Sequence, residues 1–172
     1  VRETAPEPTT VPTGPRILLA GASGTIGTAL SAEFMRRGWF VRALTRRASD
    51  ISVDVNEIFV GDLMLPSTLE GALSGVNMVF SAAGAPLAFG SQPTFAQIND
   101  QANRMLLNMA LEAKIRRFNY VAAYGGRVLG VLQYIHSMES FLAALRSSGM
   151  DGLVVRTAPV FGGFDEMLRK AE

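Results

Sequence analysis

The sequence predicts a single doubly wound α/β domain, with a mostly parallel sheet of about six strands and helices on both faces. Short apolar runs alternate with segments that carry an apolar stripe at helical spacing. A glycine-rich turn joins the first apolar run to the first helical segment. Strand–helix–strand connections of this kind give parallel strands, and such sheets bind ligands beyond the carboxyl ends of their strands.

Each element has its own local signal. The first strand is an apolar run bounded by Pro15 and Gly21, which is typical of a buried strand. The helix that follows carries an apolar stripe and is closed by Gly38. The predicted strands are residues 16–20, 40–45, 57–60, 78–82, 117–122 and 153–156. The predicted helices are residues 25–37, 67–73, 95–113 and 132–147, with a further helix beginning at residue 166.

Composition limits the classes of function. The chain has 172 residues, 48% hydrophobic and 18% charged, which is enough for one domain with a sizeable core. The net charge of +1 favours neither nucleic acid nor an anionic membrane as a partner. With no cysteine and a single histidine, His136, we expect no thiolate or multi-histidine metal site. No apolar run is long enough to span a bilayer, so we expect a cytoplasmic protein.

The N-terminal segment, residues 1–14, is rich in proline and threonine and has neither a helical nor a strand period. We expect a flexible, extended tail there and the folded domain over residues 15–172. The first residue is Val1, so a mature chain, a trimmed chain and a fragment all stay open. Removal of an organelle-targeting peptide stays open as well.

The glycine turn predicts a phosphate-binding site. Gly21 allows a tight turn off the strand, Gly24 lets the backbone approach a pyrophosphate, and Gly27 lets the helix pack close to the sheet. The helix N-terminus then offers unpaired N–H groups and the positive end of its dipole. Because a strand precedes the turn and a helix follows it, nucleotide binding is favoured over a plain turn. The candidate residues are Gly21, Ser23, Gly24, Thr25, Ile26 and Gly27.

The end of the second strand indicates which dinucleotide would bind. An acidic residue about 20 positions after the glycine turn is expected for NAD, and a nearby arginine for NADP. This sequence has Arg46 and Arg47 there, and no acid before Asp50. A guanidinium pairs with a phosphate that a carboxylate would repel, so NADP is favoured over NAD. A solvated basic turn is the alternative.

Two further strand ends could contact the nucleotide. After the third strand, Asp62 could accept the adenine amino group while Leu63 packs on the ring, although Asp is equally common in caps and turns. After the fourth strand, Ala82, Ala83 and Gly84 are small enough for a ribose to approach the backbone. A tight loop without a ligand would favour the same small residues.

These features together resemble the short-chain dehydrogenase/reductase superfamily, and most closely its atypical, NmrA-like NAD(P)-binding branch. The resemblance implies a Rossmann fold and a nicotinamide dinucleotide, with Arg46 at the 2′-phosphate and Asp62 at the adenine. It covers the chain from about residue 15 to the C-terminus. It is carried by the segments 18–27, 41–46, 61–63, 117–121, 148–151 and 155–156.

The catalytic pattern of that superfamily is incomplete here. Its reductases use a tyrosine, a lysine four residues later that lowers the tyrosine pKa, and a serine after the fifth strand. Tyr134 lies at the tyrosine position, but Met138 stands where the lysine would be. The serine is missing from the fifth strand end, where Ala122 and Ala123 stand. The substitutes we consider are Tyr124, His136 and Glu139, each of which also fits a packing or solvated role.

The resemblance also concerns the end of the chain. In the family, the loop after the sixth strand passes near the nicotinamide and leads into a substrate-binding subdomain, which would be minimal or missing here. Two functions stay open. The first is an NADP-dependent oxidoreductase or isomerase acting on a small carbonyl-type substrate. The second is a non-catalytic NADP(H)-binding sensor, regulator or assembly partner.

Overall fold

A computed structural model describes residues 12–84, 94–123 and 132–157. Within these residues the sheet has six strands in the order β3-β2-β1-β4-β5-β6, and every neighbouring pair is parallel. This confirms the predicted doubly wound α/β fold. The strands are β1 Arg16–Ala20, β2 Phe40–Thr45, β3 Glu57–Val60, β4 Met78–Ser81, β5 Arg117–Ala123 and β6 Val154–Thr157.

The described helices lie between these strands. The α-helices are α1 Thr25–Arg36, α2 Asn103–Glu112 and α3 Leu132–Ser147. Two short 3₁₀ turns occupy Ala48–Asp50 and Pro66–Leu69, and a π-helical segment, Ala96–Ala102, runs directly into α2. In the described residues, no helix is long and apolar enough to cross a membrane. The helix predicted to begin at residue 166 lies outside the described residues.

Strand order places the ligand crevice. The chain winds from β1 through β2 to β3 in one direction, and then crosses over to β4, β5 and β6 on the other side. The order therefore reverses between β1 and β4. In open parallel sheets, the crevice at this reversal, beyond the carboxyl ends of the strands, is where ligands bind.

Both faces of the sheet are buried, which explains why β1 is continuously apolar. Leu18 and the fully buried Phe118 belong to a cluster that packs against α2 and α3. Ile17 and Leu19 point to the opposite face, where they pack with Phe34 of α1. The sheet is thus the middle of three layers, and among the described α-helices α1 packs on the face opposite α2 and α3.

Buried Arg42 explains why the helix predicted at residues 67–73 is wrong. Only Pro66–Leu69 forms a short 3₁₀ turn. The Arg42 guanidinium donates to the carbonyl oxygens of Ala72 (2.7 Å) and Ser74 (2.9 Å), and pairs with Glu57 at 2.8 Å. An arginine side chain from β2 thus satisfies carbonyls of the turns after the 3₁₀ segment and ties them to the sheet.

The long helix predicted at residues 95–113 is present but interrupted. Its first half is the π-helical segment Ala96–Ala102. Directly after it, the side-chain amide of Asn103 donates back to the carbonyl oxygens of Ile98 (2.9 Å) and Asn99 (3.4 Å) within the segment. A wider helical turn leaves room for this side chain to bond back onto the backbone, which periodicity alone does not reveal.

The described end of the predicted N-terminal tail is joined to the fold. The Gly14 amide donates to the carbonyl oxygen of Gly38 at 3.0 Å, and Pro15 accepts a hydrogen bond from the Phe40 amide at 3.1 Å. These bonds align the chain for its entry into β1 beside β2. Residues 1–11 lie outside the described residues.

Candidate functional site

The turn after β1 is built by close backbone contacts. Gly21 has a φ of +76°, and a Cβ at this position would lie 2.7 Å from the carbonyl carbon and oxygen of Ala82. A side chain there would be strained by its conformation and would collide with the loop after β4. The turn therefore lies directly against that loop, across the crevice between β1 and β4.

The start of α1 lies equally close to β1. A Cβ on Gly27 would lie 2.0 Å from the carbonyl oxygen of Gly21, whereas a Cβ on the exposed Gly24 would approach the same oxygen only to 3.4 Å. Gly27 therefore fixes how closely the helix packs on the strand. Gly24 leaves the solvent side of the turn open, so a ligand can reach the backbone there.

The N-terminus of α1 has the properties of an anion site. Gly24 is the N-cap; no side chain caps the helix, and its first turn contains no acidic residue. Its first amides are therefore free to point at a phosphate, and no carboxylate would repel one. The exposed Ser23 and Thr25 flank the opening, and Ile26 is half-buried. These residues fit the diphosphate of a dinucleotide.

The two arginines after β2 lie in different surroundings. Thr45 Oγ1 donates to the Arg47 carbonyl at 3.0 Å, which bends the chain directly after the strand. Arg47 pairs with Asp50 at 3.2 Å. Arg46 is exposed, and none of the described residues pairs with its guanidinium. Of the two predicted phosphate ligands, Arg46 has no described carboxylate that competes with a phosphate, whereas Arg47, although 76% exposed, would have to leave Asp50.

The end of β3 forms a turn that uses one oxygen of Asp62. Asp62 Oδ1 accepts a hydrogen bond from the Met64 amide at 2.8 Å, and the Asp62 amide donates to Thr68 Oγ1 at 2.8 Å. Leu63 is half-buried and packs against the core beside the sheet. The turn alternative for Asp62 is therefore realised, and its second carboxylate oxygen is left for a possible adenine contact.

The loop after β4 is held from two sides. The Ala82 amide donates to the Ala20 carbonyl at 2.9 Å, and the Ala83 carbonyl accepts from Asn103 Nδ2 at 3.1 Å. Ala82 and Ala83 are half-buried, and Gly84 is exposed. This loop and the glycine turn form the two walls of the crevice.

Tyr134 lies near the end of this loop. A Cβ on Gly84 would lie 4.0 Å from the Tyr134 hydroxyl oxygen and 3.5 Å from Asn99 Oδ1. The Tyr134 ring packs edge-on against Phe95, with 5.3 Å between the ring centroids. Burial raises the pKa of the Tyr134 phenol above its usual value of 10.0. At neutral pH the hydroxyl therefore keeps its proton and can donate a hydrogen bond.

The surroundings of Tyr134 contain none of the expected catalytic helpers among the described side chains. Met138 is 2% exposed and belongs to the core that packs against α2 and α3, and Ala122 is 1% exposed in the same core. Glu139 pairs with Arg156 at 2.7 Å, and His136 is exposed. The Ala123 side chain and Tyr124 lie outside the described residues.

Sequence reasoning missed a set of buried polar side chains beside the loop after β4. They are Ser81, Asn99, Asn103 and Ser137, each at most 4% exposed. Asparagine is a poor residue for a helix interior, so the pair Asn99 and Asn103 inside a predicted helix was a signal of this site.

A profile of the NAD(P)H-binding family matches residues 21–160, which runs from the glycine turn past the end of β6. The chain belongs to the NAD(P)H-binding family. It is an NAD(P)-binding domain with a Rossmann-type sheet, which confirms the nucleotide-binding family and the fold that the resemblance implied. The predicted class of ligand, a nicotinamide dinucleotide, is likewise confirmed.

One curated relative is sterol demethylase protein B of Methylococcus capsulatus. It is 31% identical over 113 residues, which cover 63% of this chain and 34% of that protein. The match thus spans only about a third of the relative's length. The similarity therefore concerns one part of the longer protein and not the whole of it.

Two solved structures share the fold. A Bacillus halodurans protein, provisionally named an NAD-dependent epimerase/dehydratase, is 22% identical, with a TM-score of 0.74 over 85% of this chain and 71% of that chain. The Bordetella bronchiseptica enzyme WbmH, solved in complex with NAD+, is 16% identical, with a TM-score of 0.73 over 92% of this chain and 63% of that chain. At such identities the likeness shows the fold alone.

Proposed function

We propose that this chain binds NADP(H) in preference to NAD(H). The observation that carries the proposal is the contrast between Arg46 and Arg47. Arg46 extends from the carboxyl end of β2 with no partner among the described residues, while Arg47 is engaged with Asp50. A free guanidinium next to the adenosine ribose would form paired, charge-assisted bonds with a 2′-phosphate.

The acidic residues of this region support the same choice. An NAD site places a carboxylate on the ribose hydroxyls at the end of β2. Here Asp50 pairs with Arg47, and Asp62 lies one strand further out and accepts the Met64 amide. Neither carboxylate would therefore compete with Arg46 for the ribose. The NAD+ bound to WbmH belongs to a protein with 16% identity to this chain, so it does not weigh against NADP here.

The dinucleotide would lie across the carboxyl ends of the central strands. Its diphosphate would meet the amides at the start of α1, because that helix end carries no cap and no acid. Its adenosine half would extend toward β2 and β3, where Arg46 and Asp62 lie. Its nicotinamide half would extend over Ala83 and Gly84 toward Tyr134, on the β4 side of the crevice.

We propose further that the site holds the dinucleotide without using it for hydride transfer. Tyr134 is the candidate proton donor, but burial raises its pKa and no described cation lowers it. The residue four positions later, Met138, is buried in the core. A phenol in these surroundings binds by donating a hydrogen bond and is not poised to exchange its proton near neutral pH. The protein would then act as a sensor, regulator or assembly partner.

The second candidate is an NADP-dependent oxidoreductase or isomerase acting on a small carbonyl-type substrate. The proximity of the Tyr134 hydroxyl to Gly84 favours it, because a carbonyl group above that loop would lie within reach of the phenol. The relative named for sterol demethylation is about three times longer than the matched segment. If this chain acted on a similar compound, the substrate would be bulkier than a small carbonyl compound. The missing catalytic serine and lysine would then be replaced by groups from a longer chain.

Two measurements test the proposal. Calorimetric titration with NADPH and NADH should give a tighter complex with NADPH, whereas equal affinities would contradict the role of Arg46. Absorbance of bound NADPH should then stay constant in the presence of quinones, aldehydes and ketones. Steady consumption of NADPH with any of these compounds would favour the oxidoreductase instead.

A further inference from the structure

Two buried polar residues meet at the end of β4. Ser81 and Asn103 are both fully buried, and Ser81 Oγ donates to Asn103 Oδ1 at 2.5 Å. Ser81 is the last residue of β4, and Asn103 is the first residue of α2. Buried polar groups are stable only when hydrogen-bonded, so this pair defines a fixed junction between the strand and the helix.

The side-chain amide of Asn103 binds both the loop after β4 and the π-helical segment. Its Nδ2 donates to the Ala83 carbonyl at 3.1 Å and to the Ile98 carbonyl at 2.9 Å. The Ala83 amide in turn approaches Ser81 Oγ at 3.4 Å. The backbone N–H and the backbone C=O of Ala83 are thus both directed by the Ser81–Asn103 pair.

The same network continues to Tyr134. Asn99 Nδ2 donates to Ser137 Oγ at 3.2 Å, and Ser137 Oγ donates to the Tyr134 carbonyl at 2.7 Å. Asn99 belongs to the π-helical turn whose carbonyl oxygens Asn103 binds. Hydrogen bonds therefore connect the loop after β4 with the part of α3 that carries Tyr134.

We propose that Ser81 and Asn103 are positioning residues for the nicotinamide half of the dinucleotide. The inference rests on the proposed binding of NADP(H). The loop that they hold lies on the β4 side of β1, whereas Arg46 and Asp62 lie on the β2–β3 side. Loss of the pair would let the Ala83 peptide rotate, and would leave the adenosine side of the crevice unchanged.

The test compares a whole dinucleotide with its adenosine half. NADPH and 2′,5′-ADP are titrated by calorimetry into the wild type and the variants Asn103→Ala and Ser81→Ala. We expect the Kd for NADPH to rise about tenfold in Asn103→Ala, which corresponds to about 1.4 kcal/mol. The Kd for 2′,5′-ADP should stay within about twofold, since its contacts are made on the other side of β1.

The matched control is Asn119→Ala. Asn119 is a second buried asparagine, 5% exposed, and its amide donates to the Val79 carbonyl at 3.3 Å inside the sheet. Its removal should lower the melting temperature and leave both affinities unchanged. A purely structural role for Asn103 would give the same result as this control, with lower stability and unaltered binding.

Each outcome has one meaning. A rise in the Kd for NADPH, with an unchanged Kd for 2′,5′-ADP, supports the inference. An unchanged Kd for NADPH overturns it, and so does an equal rise in the Kd for both ligands. If Asn103→Ala fails to fold, Ser81→Ala, which removes one hydroxyl, gives the same comparison. If the wild type binds 2′,5′-ADP but not NADPH, or binds neither, the proposed function itself is wrong and the inference fails with it.

Discussion

Gly27 lies against the carbonyl oxygen of Gly21, because a Cβ on Gly27 would lie only 2.0 Å from that oxygen. Gly27→Ala should therefore lower the free energy of unfolding by about 1–3 kcal/mol through overpacking, measured by urea unfolding. Gly24→Ala is the matched control, because its Cβ would meet no atom closer than 3.4 Å. It should keep the stability but weaken NADPH binding, since its methyl group would occupy the open side of the turn. Equal stabilities of the two variants would contradict this packing.

Arg46 is expected to discriminate between the two dinucleotides. Arg46→Ala should weaken NADPH binding about 10- to 100-fold, the range expected for a lost hydrogen bond to a charged group. The affinity for NADH should change little, because NADH has no 2′-phosphate. Arg47→Ala serves as the control, since Arg47 pairs with Asp50. Each variant is titrated with NADPH and with NADH by calorimetry. An equal loss of affinity for both dinucleotides would contradict the assignment of Arg46 to the 2′-phosphate.

Arg42 is expected to be a stability residue with no part in binding. Arg42→Met removes the donors to the carbonyl oxygens of Ala72 and Ser74 and leaves Glu57 without its partner. Buried acceptors without partners should lower the free energy of unfolding by about 2–4 kcal/mol. Arg146→Met at the exposed end of α3 should change stability little. Urea unfolding of both variants makes the comparison, and similar losses would argue against the buried role.

Met138→Lys is expected to destabilise the protein without creating a catalytic tyrosine. Met138 is 2% exposed in the core. A lysine there would either bury its charge or displace neighbouring core side chains to reach solvent. We expect a loss of about 2–4 kcal/mol, compared with less than about 1.5 kcal/mol for Met138→Leu. Thermal unfolding measures the loss. The alternative is that the lysine is accommodated and lowers the pKa of the Tyr134 phenol. Spectroscopic titration of Tyr134 tests it, and a stable variant with a lowered phenol pKa would contradict the expectation.

Glu33 is expected to make stability depend on acid pH. Hydrogen bonds from Arg36 and Arg37 lower the pKa of its carboxyl group from 4.5 to about 2. Because the folded pKa lies below the unfolded one, this stabilisation is present above pH 4.5 and is lost as the pH falls toward 2. The difference in stability between the wild type and Glu33→Gln should therefore shrink over this interval. An NMR titration of the carboxyl carbon gives the folded pKa directly, and an ordinary value would refute the expectation.

Most of the fold was predictable because hydrophobic periodicity marks buried strands well. The bounds of β2, β3 and α3 agree with the prediction, and those of β4 and β5 differ by one residue at the carboxyl end. The prediction failed where a side chain from elsewhere decided the backbone. The chain after residue 69 forms turns whose carbonyl oxygens accept hydrogen bonds from Arg42, where a helix was predicted. The Asn103 side chain donates to a carbonyl oxygen of the π-helical segment. Such long-range polar contacts leave no periodic trace in the local sequence.

The part of the candidate site that is formed by backbone groups was predictable from the sequence. The positions of Gly21, Gly24 and Gly27 follow from the turn geometry that they permit. The difference between Arg46 and Arg47 could not be read from the sequence, because it depends on which guanidinium Asp50 engages. The role of Asn103 was hidden for a similar reason, since Ser81 lies 22 positions away in the chain.

The central position of β1 determines the order in which the protein can assemble. The Arg16 amide bonds to Asn77 Oδ1, 61 positions away, and β1 needs β4 to complete its hydrogen bonding. Such distant pairing costs loop-closure entropy before its contacts form, which slows folding. One wall of the phosphate crevice is the Ala82 backbone, so the crevice does not exist before that closure. A dinucleotide should therefore slow unfolding of the finished domain and leave its folding rate unchanged.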